Sequence, residues 1–262
     1  MRKLLILLLL IGGGRIFATI LIYGDTRNHP EVHQKLVERT KELDVNAIFF
    51  TGDMNRKGTS QTEYDEFREI IKPFTAPFYP VRGNHERNLD LYQLNFPSSS
   101  GKSYYSFLQL PDSLQVVVLD TNLDISPGSE QYLWLVSELT NATNPVILML
   151  HHPVFSSGYH GDELGLSWYL PNLLAKYQVA AVVSGHEHSF EHLRYKNLDY
   201  FVTGGGGAPL REAKASNPNS LFFRMTHHYN LLNRDADALV WQSYDLIGNL
   251  LYETRITLPD TP

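Results

Sequence analysis

Cysteine is absent from all 262 residues. Its absence excludes disulfides, thiolate metal ligands, a cysteine nucleophile and a lipoprotein anchor in one step. Any metal held here is held by nitrogen and oxygen. A basic surplus is missing too: 22 lysines and arginines stand against 28 aspartates and glutamates, the net charge is −6, and the basic residues are scattered. Without the electrostatic footprint of a nucleic-acid binder, a nucleic-acid scaffold role is excluded. Long hydrophobic runs are lacking as well. The apolar stretch Leu4 to Ile11 falls well short of the ~20 residues that cross a bilayer, so no mature membrane span is expected. There is no internal repeat, and no linker rich in proline, glycine or serine divides the chain.

What is present is a large apolar fraction, 43% hydrophobic and 12% aromatic, enough for one ample core. The beginning, Met1-Arg2-Lys3, the run Leu4 to Ile11 and then Gly12-Gly13-Gly14-Arg15-Ile16-Phe17-Ala18, has the layout of a secretory signal with Ala18 at the cleavage position. The expectation is a signal peptide over 1–18, a single domain over 19–262, and export to the periplasm or the cell exterior.

Polar residues recur at the ends of apolar runs. Thr19 to Tyr23 ends at Gly24-Asp25-Thr26-Arg27, followed by Asn28 as a candidate helix cap, Pro30 in a first helical turn and the helical spacing Val32, Leu36, Leu43. Ala47 to Phe50 ends at Thr51-Gly52-Asp53, and Ser60-Gln61-Thr62-Glu63 is a capping box that opens a helix. Phe78 to Val81 ends at Gly83-Asn84-His85-Glu86. These three strands give the β-α-β-α-β order of a sheet with crossover helices. Strands at Tyr104 to Phe107 and Gln115 to Leu119 then flank Pro111-Asp112, and Ser129 caps a helix containing Trp134, Leu135 and Leu139. Pro145 to Leu150 ends at His151-His152-Pro153. A helix around Leu166 to Tyr177, interrupted or restarted at Pro171, leads to Val179 to Val183, which ends at Gly185-His186-Glu187-His188. Strands are expected near Thr203, over Ser220 to Tyr229, Ala238 to Tyr244 and Leu250 to Thr257.

The strand ends thus supply Asp25, Asp53, Asn84, His85, His151, His186 and His188. Carboxylate, amide and imidazole together suit Mn, Fe, Zn or Co better than Mg or Ca. With these blocks in this order, the chain resembles the calcineurin-like metallophosphoesterase superfamily. Its His-His-Pro segment, the Gln131-Tyr132-Leu133-Trp134-Leu135 helix and the glycine run before Ala208-Pro209 are similar to the bacterial relatives of purple acid phosphatases. The resemblance implies an α/β fold, a four-layer α/β/β/α sandwich of two mixed β-sheets with the site at one edge. It implies two metal ions bridged by Asp53, with Asp25 and His188 on the first ion and Asn84, His151 and His186 on the second. A bridging hydroxide would attack a small phosphorylated substrate, and His85 would protonate the leaving oxygen. The implied reaction is phosphate-ester hydrolysis, monoesters before diesters, nucleotides or pyrophosphates. A metal-binding scaffold of the same fold without activity is the competing class.

Two departures stand out. Where most of the superfamily has Asp-x-His, this chain has Arg27, and where purple acid phosphatases carry a tyrosine after the second aspartate, it has Arg56. Arg27 is expected to clamp substrate phosphate, beside Asn84 and His85, and to leave the first ion short of a ligand. His160 is either a substrate contact or a solvated loop residue. His152 is expected to face away from the site and Glu187 to face solvent; His192, His227 and His228 are assigned structural places. Gly204 to Gly207 form either an anion-binding nest or a tight turn.

Overall fold

The computed structural model describes residues 19–109 and 113–259. The leader expected at 1–18 and the turn expected at Pro111-Asp112 lie outside the described residues. Strands β1 (Thr19–Tyr23), β2 (Ala47–Phe50) and β3 (Phe78–Pro80) run parallel, joined by helices α1 (Pro30–Thr40) and α2 (Gln61–Ile71). This is the crossover order read from the sequence. After α3 (Leu89–Asn95) come β4 (Tyr105–Gln109), β5 (Leu114–Val118), α4 (Glu130–Asn141), β6 (Val146–Met149), α5 (Leu164–Leu174) and β7 (Val179–Ser184). The chain finishes with β8 (Phe190–Tyr195), β9 (Leu198–Thr203), β10 (Ser220–Arg224), β11 (His228–Asp235), β12 (Ala238–Asp245) and β13 (Leu250–Thr257).

The strands form two mixed sheets, ordered β13-β12-β11-β1-β2-β3 and β10-β8-β9-β7-β6-β5-β4. Alternation along each strand assigns its two faces. Ile20, Ile22 and Phe49 of the first sheet point inward against Val116, Ile147, Val183 and Phe201 of the second. Trp241 stacks on Phe201 across this interface, ring centroids 3.9 Å apart. Leu21, Tyr23, Ile48 and Phe50 point outward, under Leu36 of α1, Tyr64 and Phe67 of α2 and Tyr92 of α3. On the far side Val117, Leu148, Val182 and Val202 pack under Leu135 and Leu139 of α4 and Leu166, Leu170 and Leu174 of α5. The result is the four-layer α/β/β/α sandwich. Both faces of the central strands are buried, which is why they read as continuous apolar runs. No helix of the described residues is long and apolar enough to cross a membrane.

Local expectations needed correcting in four places. The cap of α1 is His29, without a side-chain bond, while Asn28 takes a left-handed φ of 77°. Ser60 caps α2 by accepting from Glu63 N, but the Glu63 carboxylate reaches past Ser60 to Lys57 N and Thr59 N at 3.0 and 3.1 Å. Pro171 does not interrupt α5; burial of Leu170, Leu173 and Leu174 carries the helix across the missing N–H. The run Ser220 to Tyr229 is two strands: β10 pairs with β8 in one sheet, and after Thr226 the chain crosses to the other sheet to pair β11 with β1.

Candidate metal centre

The carboxyl ends of β1, β2 and β3 from one sheet meet those of β6 and β7 from the other at a single edge of the sandwich. Main-chain bonds tie the tips together: Asp25 N donates to Gly52 O at 2.8 Å, Gly185 N to His151 O at 3.0 Å, and Ala208 N to Asp25 O at 2.7 Å. Asp25, Asp53 and His186 sit at φ of 57°, 57° and 69°. Left-handed backbone costs a non-glycine residue on the order of 1–3 kcal/mol and persists only where the surroundings enforce it, as at binding sites. Gly185 is required by closeness, since a Cβ there would lie 2.4 Å from Asp25 Oδ2. The same holds for the glycine run. None of Gly204 to Gly207 has positive φ, so a nest of alternating hand is absent. A Cβ on Gly204 or Gly206 would instead strike Glu187 O at 2.3 Å or Gly24 O at 2.4 Å.

Four expected ligands come together on one side. Asn84 Oδ1 lies 3.0 Å from both His151 Nε2 and His186 Nδ1, these two nitrogens are 3.3 Å apart, and Asp53 Oδ1 lies 3.4 Å from His151 Nε2. Ligand atoms ~2.1 Å from one ion stand about 3.0–3.4 Å from each other, so this set fits a metal. The protonation pattern agrees. His151 Nδ1 donates to Thr51 O at 2.8 Å, and burial, aided by neighbouring His152, holds its pKa well below the usual histidine range. Its Nε2 therefore presents a lone pair to an amide oxygen and a carboxylate oxygen, a repulsive arrangement that a cation makes attractive. Burial and the adjacent His151 push His186 down as well. Asp25, Asp53 and His151 form one potential metal-holding group, and His151, His152 and His186 another.

The opposite side differs. His188 Nδ1 donates to Pro209 O at 2.6 Å, which turns Nε2 inward, 3.8 Å from Asp25 Oδ1. Burial, then the charge of Arg211, pulls the His188 pKa down to about 3. Arg27 reaches into this corner: Nε donates to Asp53 Oδ2 at 3.0 Å and Nη2 to His188 Nε2 at 3.3 Å. Its side chain is only 11% exposed. Two of the acceptors expected to hold the first ion thus already face a guanidinium, and this corner does not fit a second metal as the Asn84 side fits one. Asp25 is fully buried, and burial with the nearby Asp53 charge raises its pKa well above the carboxylate range, opposed by the His186 N–H and Arg27.

His85 sits over Asp53. Its N–H donates to Asp53 Oδ1 at 2.9 Å, Nδ1 donates to Arg56 O at 2.6 Å, and Nε2 faces the site 3.9 Å from Asp53 Oδ2. Three residues behave differently from expectation or lacked an assigned role. Glu187 does not face solvent: it is fully buried and accepts from Tyr159 N, His160 N and His160 Nδ1 at 2.8, 2.6 and 2.9 Å. That grip places the His160 ring 4.3 Å from the His186 ring, with Arg211 Nη1 3.4 Å from its nitrogens. His152 does not face away, because Thr121 Oγ1, 2.7 Å from its Nδ1, turns the ring to within 4.5 Å of His186. Glu86 was legible within Gly83-Asn84-His85-Glu86 but had no role; it accepts from Asp53 N, Asn55 N and Gly83 N at 2.9, 3.0 and 3.0 Å, locking two tips together. Burial and Asp53 push its pKa up to about 8, against those three amide donors. His192 binds Asp199 and Tyr252, and His228 bonds Thr203 and Thr226 O, both away from the metal group. His227 bonds Gly205 O.

Comparison with known proteins points the same way as this geometry. Probable purple acid phosphatase 20 of Arabidopsis thaliana is 24% identical over 250 residues, which cover 81% of this chain and 58% of that protein. Human tartrate-resistant acid phosphatase type 5 is 29% identical over 192 residues, 61% of this chain and 58% of the relative. The chain therefore spans less than two thirds of the length of these relatives. The purple acid phosphatase PPD1 from yellow lupin seeds superposes with a TM-score of 0.80 at 21% identity, over 92% of this chain and 54% of that one, and so shares the fold. The model of the calcineurin-like phosphoesterase family matches residues 18–190, which hold every strand tip of the centre. The chain belongs to the calcineurin-like phosphoesterase family, and purple acid phosphatases are among the proteins it is similar to.

Proposed function

We propose that this chain is an exported, metal-dependent hydrolase of phosphate esters, with monoesters preferred, and that residues 19–262 form one catalytic domain. The observation that carries the reading is the set of inward-facing acceptors Asn84 Oδ1, Asp53 Oδ1, His151 Nε2 and His186 Nδ1, with His85 and Arg27 at its border. These four would hold the metal, and their mix of imidazole and oxygen suits Mn, Fe, Zn or Co. When bound, the metal supplies positive charge that polarises phosphoryl oxygens and acidifies a water.

The protein's own groups do the rest. Arg56 O fixes the His85 ring by its Nδ1–H. In the imidazolium form the second proton, on Nε2, faces the site and can pass to the leaving oxygen, leaving the neutral ring. Glu187 holds His160 at the rim, where it and Arg211 can steady an anionic substrate. A cavity of about 540 Å³ beside the centre is lined by Arg27, Arg56 and Lys57 together with Glu63 and Glu66, so three cationic side chains that can meet a small phosphorylated molecule share it with two carboxylates. Hydrolysis of a chromogenic phosphomonoester against the matched diester, by metal-reconstituted protein, tests the proposal. A faster monoester supports it. A faster diester moves the assignment to diesters or nucleotides, and no hydrolysis of either moves it to the scaffold class.

A further inference from the structure

We infer that the Arg27 guanidinium is the resident cation of the first half of the centre, so that this chain holds one metal ion, beside Asn84, His151 and His186, where the family resemblance implies two. The inference rests on the metal-centre reading proposed above but does not depend on the substrate. Its first support is position. The backbone at the end of β1 is pinned, with Thr26 N and Arg27 N both donating to Asp53 O at 3.1 and 3.3 Å, so the side chain leaves from a fixed point. From there it passes between the bridging aspartate and His188, two of the three groups, with Asp25, that an ion in this corner would share.

The second support is donor and acceptor chemistry. Asp53 Oδ2 is an acceptor only, and His188 Nε2 is one as well, because the other ring nitrogen donates to Pro209 O. Each needs a cation or a proton, and the guanidinium offers N–H groups to both. Arginine keeps its charge at any working pH and cannot ligate a metal, so it serves as a cation that is neither lost to chelators nor exchanged. The third support is burial. With 11% of the Arg27 side chain and 1% of Asp53 exposed, solvent cannot screen the repulsion between the guanidinium and a second ion in the same corner. Asp53 then divides its carboxylate, Oδ1 toward the metal group and Oδ2 toward Arg27.

The test is a count of ions in the whole protein. The protein is stripped with chelator, loaded with manganese and dialysed. Metal per chain is measured by plasma mass spectrometry, and electron paramagnetic resonance reports whether the ions are isolated or exchange-coupled. The expected result is one manganese per chain with the six-line spectrum of an isolated ion in the wild type, rising to two coupled ions in Arg27→His. Arg27→Ala, which only vacates the corner, is expected to admit a second, more weakly held ion at raised manganese. Two tightly held, coupled ions in the wild type would overturn the inference, as would a count that stays at one in both variants. Two coupled ions with hydrolysis intact would leave the proposed function standing without this inference. One ion without hydrolysis of any ester would do the reverse.

Discussion

Three imidazoles of the centre are aimed by main-chain carbonyls: His85 by Arg56 O, His151 by Thr51 O and His188 by Pro209 O. Each bond fixes one ring nitrogen as the donor and turns the other inward, the usual way a protein sets tautomer and direction at such a site. The histidines themselves were legible because they follow apolar runs, but the carbonyls that aim them were not, since every residue carries one. Glu187 failed for a related reason. Between His186 and His188 it looked solvent-facing, and only the return of the 159–160 loop supplies its donors. At this scale the expected consequence concerns His85. His85→Ala should lower kcat by about 10²–10⁴-fold for an alkyl phosphate and much less for a nitrophenyl ester, whose leaving oxygen needs little protonation, with metal content unchanged. Equal losses on the two substrates would remove the proton-donor role.

Among the elements, α1 shows how packing overrides the ordinary behaviour of a side chain. His33 lies on its buried face, stacked on Phe67 with ring centroids 5.3 Å apart and 3.3 Å from the Tyr23 hydroxyl. Burial pulls its pKa down to about 3. Below about pH 6.5 the unfolded chain takes up a proton that the folded chain refuses, so this contribution to stability is present above 6.5 and is lost as pH falls toward 3. Measured by urea unfolding, the fall in stability between pH 7 and pH 5 should be smaller by about 2 kcal/mol in His33→Gln than in the wild type. Identical falls would mean that the ring is protonated in the folded state. The limits of sequence reading appear at this scale too. β10 and β11 are contiguous and similarly apolar, and nothing in Ser220 to Tyr229 marks Thr226 as the place where the chain changes sheets.

As a whole, the molecule depends on its two sheets meeting. β1, β2 and β3 bring Asp25, Asp53 and Asn84 from one, β6 and β7 bring His151, His186 and His188 from the other, and neither sheet completes the centre alone. The convergence could be anticipated because buried central strands end abruptly at polar tips. The corner taken by Arg27 could be anticipated only in part: its identity was plain, but that it would lie between Asp53 and His188 depended on the pinned turn after β1. The most direct measurement is hydrolysis of a chromogenic phosphomonoester before and after chelation, with circular dichroism on the same samples. Chelation should abolish hydrolysis while the fold persists, and returning manganese, zinc or iron should restore it. Hydrolysis that survives complete removal of metal, or that no added metal elicits from folded protein, would contradict a metal-dependent phosphoesterase.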